Sequence, residues 1–215
     1  MASGVGSGCP RGGALVLGIG NVLWADDGFG VRAVEAFHAA YELPEAVELL
    51  DGGTQGMNLL EPVVSHGAVL VFDALDFGLA PGAVRVLRDR EVPAWAGTKM
   101  SLHQQSFQEL LAIADLQGRF PPKLTLIGVQ PERLSDFGGS LSESVRERLP
   151  LAVDLAAEEL ASWGFSARLR EAPAPRLNAE ALALPAYESG RPAETEACRV
   201  GDARFLNRRH DLESR

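Results

Sequence analysis

Two hydrophobic rhythms alternate along this chain. Short, dominantly apolar runs at residues 14–18, 47–50, 69–72 and 124–129 each stop near a glycine, an aspartate or a Gln-Pro pair. Such runs read as strands, the fully apolar 69–72 as a central, parallel one. Residues 83–88, after the Pro81-Gly82 turn, alternate apolar and polar side chains and read as an edge strand with one wet face. Between these runs the spacing turns helical. Val31, Val34, Phe37 and Tyr41 form one stripe of a helix predicted to begin at Asp26 or Asp27 and to stop before Pro44. Thr54 is the predicted N-cap of a helix reaching Ser65, with Pro62 set to kink or shorten it. Ser101-Leu102-His103-Gln104 has capping-box form and opens a helix to Leu116, with Phe107, Leu110, Leu111 and Ala114 inward. Ser140-Leu141-Ser142-Glu143 has the same form and opens a last helix to Trp163, bent at Pro150.

Strands alternating with helices predict an α/β fold: a three-layer sandwich whose mostly parallel, twisted sheet of about five strands carries helices on both faces. Residues 1–13 are Gly/Ser-rich and predict disorder. From residue 166 the period dissolves at Pro173, Pro175, Pro185 and Pro192. The expectation is one domain over 14–165 and a mostly disordered tail over 166–215.

Composition narrows the partners. The 215 residues carry 29 acidic and 20 basic side chains, a net charge of −9. That balance argues against nucleic acid and anionic membrane as main partners. The two cysteines, Cys9 and Cys198, lie in the two loose ends and build neither a disulfide framework nor a thiolate metal cage, which suits a reducing compartment. The run from Ala14 to Trp24 imitates a secretory core, but it holds Gly18, Gly20 and Asn21, lacks a small-residue cleavage pattern and runs into Asp26-Asp27. No segment is apolar for long enough to span a bilayer, and the expected location is the cytoplasm.

The candidate chemistry starts at that acid pair. A glycine-rich turn after a strand ordinarily cradles phosphate, yet this one ends in two carboxylates, which repel phosphate and attract a cation. In an open parallel sheet, sites form beyond the carboxyl ends of the strands. Asp27 follows the first strand, Asp51 ends the second and Asp73 ends the third, so all three belong to one edge. His103 falls in the first turn of its helix, where the positive helix end favours the neutral ring a metal needs. Two carboxylates and an imidazole suit a borderline divalent cation such as zinc or nickel, with coordination positions left open. Each residue also has a structural reading. Either acid of the pair can cap a helix, Asp51 before two glycines can shape a turn, and Asp73 can serve the strand end, with Asp76 close behind. His38, His66 and His210 have no supporting context. A dinucleotide site wants Gly-x-Gly-x-x-Gly, and here Leu23 takes the third glycine's place.

Five pieces in order carry a resemblance: Gly18-Ile19-Gly20-Asn21-Val22-Leu23 with Asp26-Asp27-Gly28-Phe29-Gly30-Val31; Leu50-Asp51-Gly52-Gly53-Thr54-Gln55-Gly56; Phe72-Asp73-Ala74; Lys99-Met100-Ser101-Leu102-His103-Gln104; and Leu126-Ile127-Gly128-Val129-Gln130-Pro131-Glu132. Over residues 14–163 the chain resembles the nickel-iron hydrogenase maturation endopeptidases. Trp24-Ala25-Asp26 and Asp76-Phe77-Gly78 are most similar to the enzymes serving membrane-bound uptake hydrogenases. The resemblance implies an aspartic-type endopeptidase that removes a C-terminal extension from the hydrogenase large-subunit precursor after nickel insertion. It implies nickel carried by the substrate rather than a resident cofactor, and a monomer that meets its client transiently. It also implies that Asp27, Asp73 and His103 are both the metal-binding and the catalytic residues. Asp27 stands where relatives often carry the longer Glu. A non-enzymatic nickel-binding maturation chaperone would use the same residues without hydrolysis, and a nucleotide-binding domain is the third reading.

Overall fold

The chain runs through β1 (Ala14–Ile19), α1 (Phe29–Ala40), β2 (Tyr41–Glu42), β3 (Val47–Gly53), α2 (Leu60–Ser65), β4 (Ala68–Ala74), β5 (Val84–Arg88), α3 (Glu91–Ala94), α4 (Leu102–Leu116), β6 (Lys123–Val129), α5 (Glu143–Arg146), α6 (Leu149–Ser162), β7 (Arg168–Leu169) and α7 (Leu184–Gly190). This computed structural model describes residues 12–94 and 102–191, with Leu102 and His103 described in backbone only. The main sheet has the order β3-β1-β4-β6-β5. Its first four strands are parallel, and β5 pairs antiparallel with β6 at the edge, as its alternating pattern predicts.

Alternation along the strands builds two cores, one on each face of the sheet. Ala14 and Val16 of β1 and Ala68, Leu70 and Phe72 of β4 pack with Phe29, Phe37, Ala152 and Leu160 of α1 and α6. Leu15, Leu17, Val69 and Val71 point the other way, against Val63 of α2 and Phe107, Leu110 and Leu111 of α4. The result is the expected three-layer α/β sandwich. Among the described residues no helix is long and apolar enough to cross a membrane.

Local chemistry departs from the predicted boundaries in instructive ways. The acid pair does not open α1; it sits in a 3-10 turn, Ala25–Gly28, and the helix follows at Phe29. Thr54 caps nothing: a 3-10 turn at Gly56–Leu59 leads into α2, so Pro62 falls in the first turn of α2, where its missing N–H costs no helical bond. The predicted last helix is two helices. The N-cap of α5 is Ser142 rather than Ser140, and Pro150 starts α6 instead of bending it. Ser101, the other predicted cap, lies outside the described residues.

The largest departure is the tail. Residues 166–191 form an ordered strap along α1. Its first stretch adds β7 to β2 as an antiparallel pair, and Arg170 N donates to Ala40 O at 2.9 Å. The His38 ring bonds Pro175 O at 2.8 Å. Asn178 Nδ2 donates to Glu35 Oε1 at 2.9 Å and to Asp51 Oδ2 at 2.7 Å. Arg32 donates to Leu182 O and stands 5.5 Å over the Tyr187 ring. At the far end Glu188 accepts from Ser140 Oγ at 2.6 Å and pairs with Arg146. The bond from Arg146 holds the Glu188 carboxyl below its ordinary range against the upward push of burial. Periodicity missed this segment because it is held largely by polar groups of α1, of β3 and around α5, and not by a periodic hydrophobic face of its own. Residues 1–11 and 192–215 lie outside the described part.

One buried charge fastens α6 to the sheet edge. Arg88 of β5 reaches Glu159 at 2.8 Å, and Thr125 Oγ1 of β6 donates to the same carboxylate at 2.8 Å. Burial pushes the Glu159 carboxyl up, but the bonds from Arg88 and Thr125 and the charges of Arg88 and Lys123 outweigh it and hold the group below its ordinary range. The folded value therefore lies under the unfolded one. The stabilisation is complete above the ordinary Glu range and disappears as pH falls through the depressed folded value. Glu159→Gln is expected to cost about 2 kcal/mol at neutral pH and to flatten this part of the acid dependence, read as urea midpoints from neutral to acid pH.

Candidate active site

The strand order reverses between β1 and β4, since β3 lies outside β1 and the chain then returns to β4 on its other side. In sheets of this kind the crevice beyond the carboxyl ends of the two diverging strands is the favoured site. Small residues let α1 enter there. A Cβ on Gly30 would stand 2.1 Å from Ile19 O and 2.2 Å from Phe72 O, and one on Gly18 would stand 2.3 Å from Gly30 O. The glycines of the turn thus serve contact between helix and strand ends.

The turn itself is tightly specified. Gly20 takes φ +141, and a Cβ there would fall 2.0 Å from Asp27 O. Asn21 N donates to that carbonyl at 3.0 Å, while Asp27 N donates to Trp24 O at 3.0 Å. Ala25 holds φ 48, a conformation few non-glycine residues adopt. Both acids are carried inward and both are buried.

Asp26 and Asp27 then part company. Asp26 Oδ2 accepts from Glu132 N at 2.9 Å, Arg133 N at 2.7 Å and Ser142 Oγ at 2.9 Å, and Oδ1 accepts from Ser142 N at 2.6 Å. Its own N–H donates to Arg133 O at 3.1 Å. Asp26 is a clasp between the first loop and the segment leading from β6 into α5. Sequence reasoning offered helix capping for either acid. The structure gives Asp26 a different duty: it caps no helix, and bonds the N–H and hydroxyl of Ser142, the residue that precedes α5 far along the chain.

Asp27 lies in the turn packed against β4. Asp73 is the penultimate residue of β4, buried, with Oδ1 accepting from Ala74 N at 2.8 Å. Alternation places it on the face of Val69 and Val71, the side of α4. The first turn of α4 is fastened to this strand end, because Gln104 Nε2 donates to Ala74 O. The backbone of His103 is the preceding residue of that turn; its side chain lies outside the described residues. Among the described residues no three His, Cys, Asp or Glu groups cluster as a metal centre. What the structure brings together is Asp27, Asp73 and the head of α4.

Asp51 follows its structural reading. Oδ1 accepts from Gly53 N at 2.9 Å, and Oδ2 is bonded by Asn178 of the strap. Asp76 bonds Gly78 N at 3.0 Å and Gln130 Nε2 at 3.1 Å. Gln130, given no role by sequence reasoning, also accepts from Phe77 N at 2.7 Å and Leu79 N at 3.1 Å, which fixes the loop after β4. Its place just after a strand at the site edge is the signal that could have found it.

The profile of the family described as "Hydrogenase maturation protease" matches residues 31–159. The chain belongs to this family. The hydrogenase expression/formation protein HoxM of Azotobacter vinelandii is 54% identical over 193 residues, covering 89% of this chain and 93% of that protein. The hydrogenase 2 maturation protease of Escherichia coli is 42% identical over 159 residues, covering 74% of this chain and 96% of that protein. Among solved structures, the hydrogenase maturating endopeptidase HybD from E. coli superposes with a TM-score of 0.70 at 40% identity, covering 74% of this chain and 98% of HybD. As a hydrogenase maturation protease, the protein is a peptidase, and its sandwich is that of HybD.

The clasp gives a stability test that separates the two neighbouring acids. Asp26→Asn turns an N–H donor toward groups that are themselves donors and is expected to lose about 2–3 kcal/mol. Urea unfolding followed by circular dichroism measures it, and Ser142→Ala should lose about 1 kcal/mol.

Proposed function

We propose that this protease removes the C-terminal extension of a nickel-iron hydrogenase large-subunit precursor, of the uptake type, after nickel has been inserted. We further propose that it recognises the nickel already seated in that precursor. The observation that carries the reading is the convergence of two buried aspartates, Asp27 and Asp73, and the head of α4 on the switch-point crevice. Family membership supports the reaction class.

The donor chemistry fits a borderline divalent ion held partly by the client. Two carboxylates supply oxygen, and His103 would supply nitrogen from a helix start, which favours the neutral ring. A nickel ion carried there by the precursor would supply Lewis acidity toward the scissile carbonyl. The protein's own part is positional and protolytic. Asp27 and Asp73 orient the junction peptide within reach of one water. One carboxylate takes a proton from that water as its oxygen attacks the carbonyl carbon, and the proton passes to the departing amide nitrogen as the C–N bond breaks. Two carboxylates that both face the substrate could share one proton between them, which is the basis for calling the enzyme aspartic-type. The working species is a monomer in a transient complex with its precursor.

The test uses purified protein with nickel-loaded and nickel-free precursor, read by intact mass. The loaded precursor is expected to lose its C-terminal peptide and the nickel-free one to stay whole. Asp27→Asn, Asp73→Asn and His103→Gln are each expected to slow cleavage at least about 100-fold while leaving the circular dichroism spectrum unchanged. Equal cleavage of both precursors removes nickel recognition. Tight association without any mass change identifies a chaperone instead of a protease.

A further inference from the structure

The rim beside the acid turn carries an apolar surface that the fold does not use. Phe29, Phe37, Phe72 and Phe107 are buried, yet Leu23, Trp24, Leu134 and Phe137 are exposed at 43%, 36%, 37% and 41%. The four belong to two loops that meet. Trp24 and Phe137 form an antiparallel bridge, their rings lie 5.2 Å apart in an edge-on arrangement, and Gly138 N donates to Leu23 O at 2.8 Å. We propose that this aromatic rim is the docking surface for the folded body of the precursor whose extension enters the crevice. The proposal rests on the reading of the site given above.

Four observations point to that occupant. First, the rim is continuous with the site: Trp24 and Asp27 are three residues apart, at most about 10 Å of chain. A protein seated on Trp24 is therefore positioned to place its own terminal segment over the acids. Second, the surface is rigid before any partner arrives. Ala25 at φ 48 and the buried Asp26 clasp fix Trp24 on one side and the Arg133 loop on the other, so docking orders little and keeps its binding energy. Third, the charge flanking it is balanced. Arg133 is engaged by Asp136 at 3.3 Å, so that pair adds no net charge beside the apolar side chains. Fourth, the size is that of a transient contact. Four side chains at this exposure offer roughly 300 Å², against about 800 Å² per partner in a stable complex. A second copy of this chain would need more, whereas a client held also at its terminus does not. Aromatic anchors of this kind concentrate binding energy.

The experiment measures cleavage of nickel-loaded precursor over a range of concentrations by wild-type protein and by the Phe137→Ala and Trp24→Ala variants. Thermal midpoints are recorded alongside. Both variants are expected to raise KM at least tenfold with kcat within a factor of two. Phe137→Ala is expected to keep the wild-type midpoint, so the outcome survives if Trp24→Ala folds poorly. As a trap, Asp73→Asn is expected to bind uncleaved precursor on a sensor surface, and the Asp73→Asn/Phe137→Ala double variant to bind at least tenfold more weakly. An unchanged KM in Phe137→Ala overturns the proposal. So does a fall in kcat alone, which would make the pair a brace for the acid turn. A dimer in wild-type sedimentation that becomes monomeric in Phe137→Ala also overturns it, by naming a second copy as the occupant. Failure of the wild-type protein to cleave any precursor is a separate result and strikes the proposed function itself.

Discussion

Everything at the functional edge depends on how closely α1 approaches the ends of β1 and β4. A single added carbon at Gly18 or Gly30 would stand 2.3 Å and 2.1 Å from backbone oxygen, far inside van der Waals contact. Backbone cannot move out of the way as a flexible side chain can. The helix is thereby brought down onto the switch point, and the loop joining β1 to α1 must fold back on itself within a few residues. That confinement explains the left-handed Ala25 and the φ +141 of Gly20. It also shapes the candidate site, because a turn pressed against β4 carries Asp27 to the strand end where Asp73 stands.

The paired acids show how identical side chains acquire opposite duties. A buried carboxylate is tolerable only when its lone pairs are occupied, and Asp26 meets that condition entirely with donors from the far side of the crevice. The clasp does more than solvate a charge. It joins the loop after β1 to the loop after β6, and Ser142 links that junction to α5. The strap ends on the same structure, through Glu188 on Ser140 and Arg146. One wall of the site is thus held from three distant parts of the sequence.

The sheet was legible because burial on both faces leaves an unmistakable apolar run, and the edge strand because one wet face leaves alternation. Asp27 and Asp73 were legible because residues that end parallel strands share an edge whatever the details of packing. Other features were hidden for physical reasons. The Ser142 cap differs from the predicted Ser140 because Ser140 instead meets Glu188, a partner 48 residues on. The strap was hidden because its prolines and charged residues have the composition of disorder. Its ordered state is held by partners from other segments: polar groups of α1, Asp51, Ser140 and Arg146, with Leu177 packed against the core. Asp26 and Gln130 were hidden because each works through backbone N–H groups, which every sequence contains.

The charge of the turn completes the argument. In nucleotide-binding folds the start of the first helix offers its unpaired N–H groups and positive dipole end to a phosphate. Here the 3-10 turn just before α1 carries the protein's own carboxylates, and Asp26 is satisfied by donors from the far side of the crevice and not by the helix start. Gly18 and Gly20 still look like a phosphate loop because the steric demand of a helix landing on two strand ends is the same in both cases. What differs is the group that faces the crevice. Oxygen donors there reverse the sign of the guest that a nucleotide pocket prefers, and on that reversal the proposed function rests.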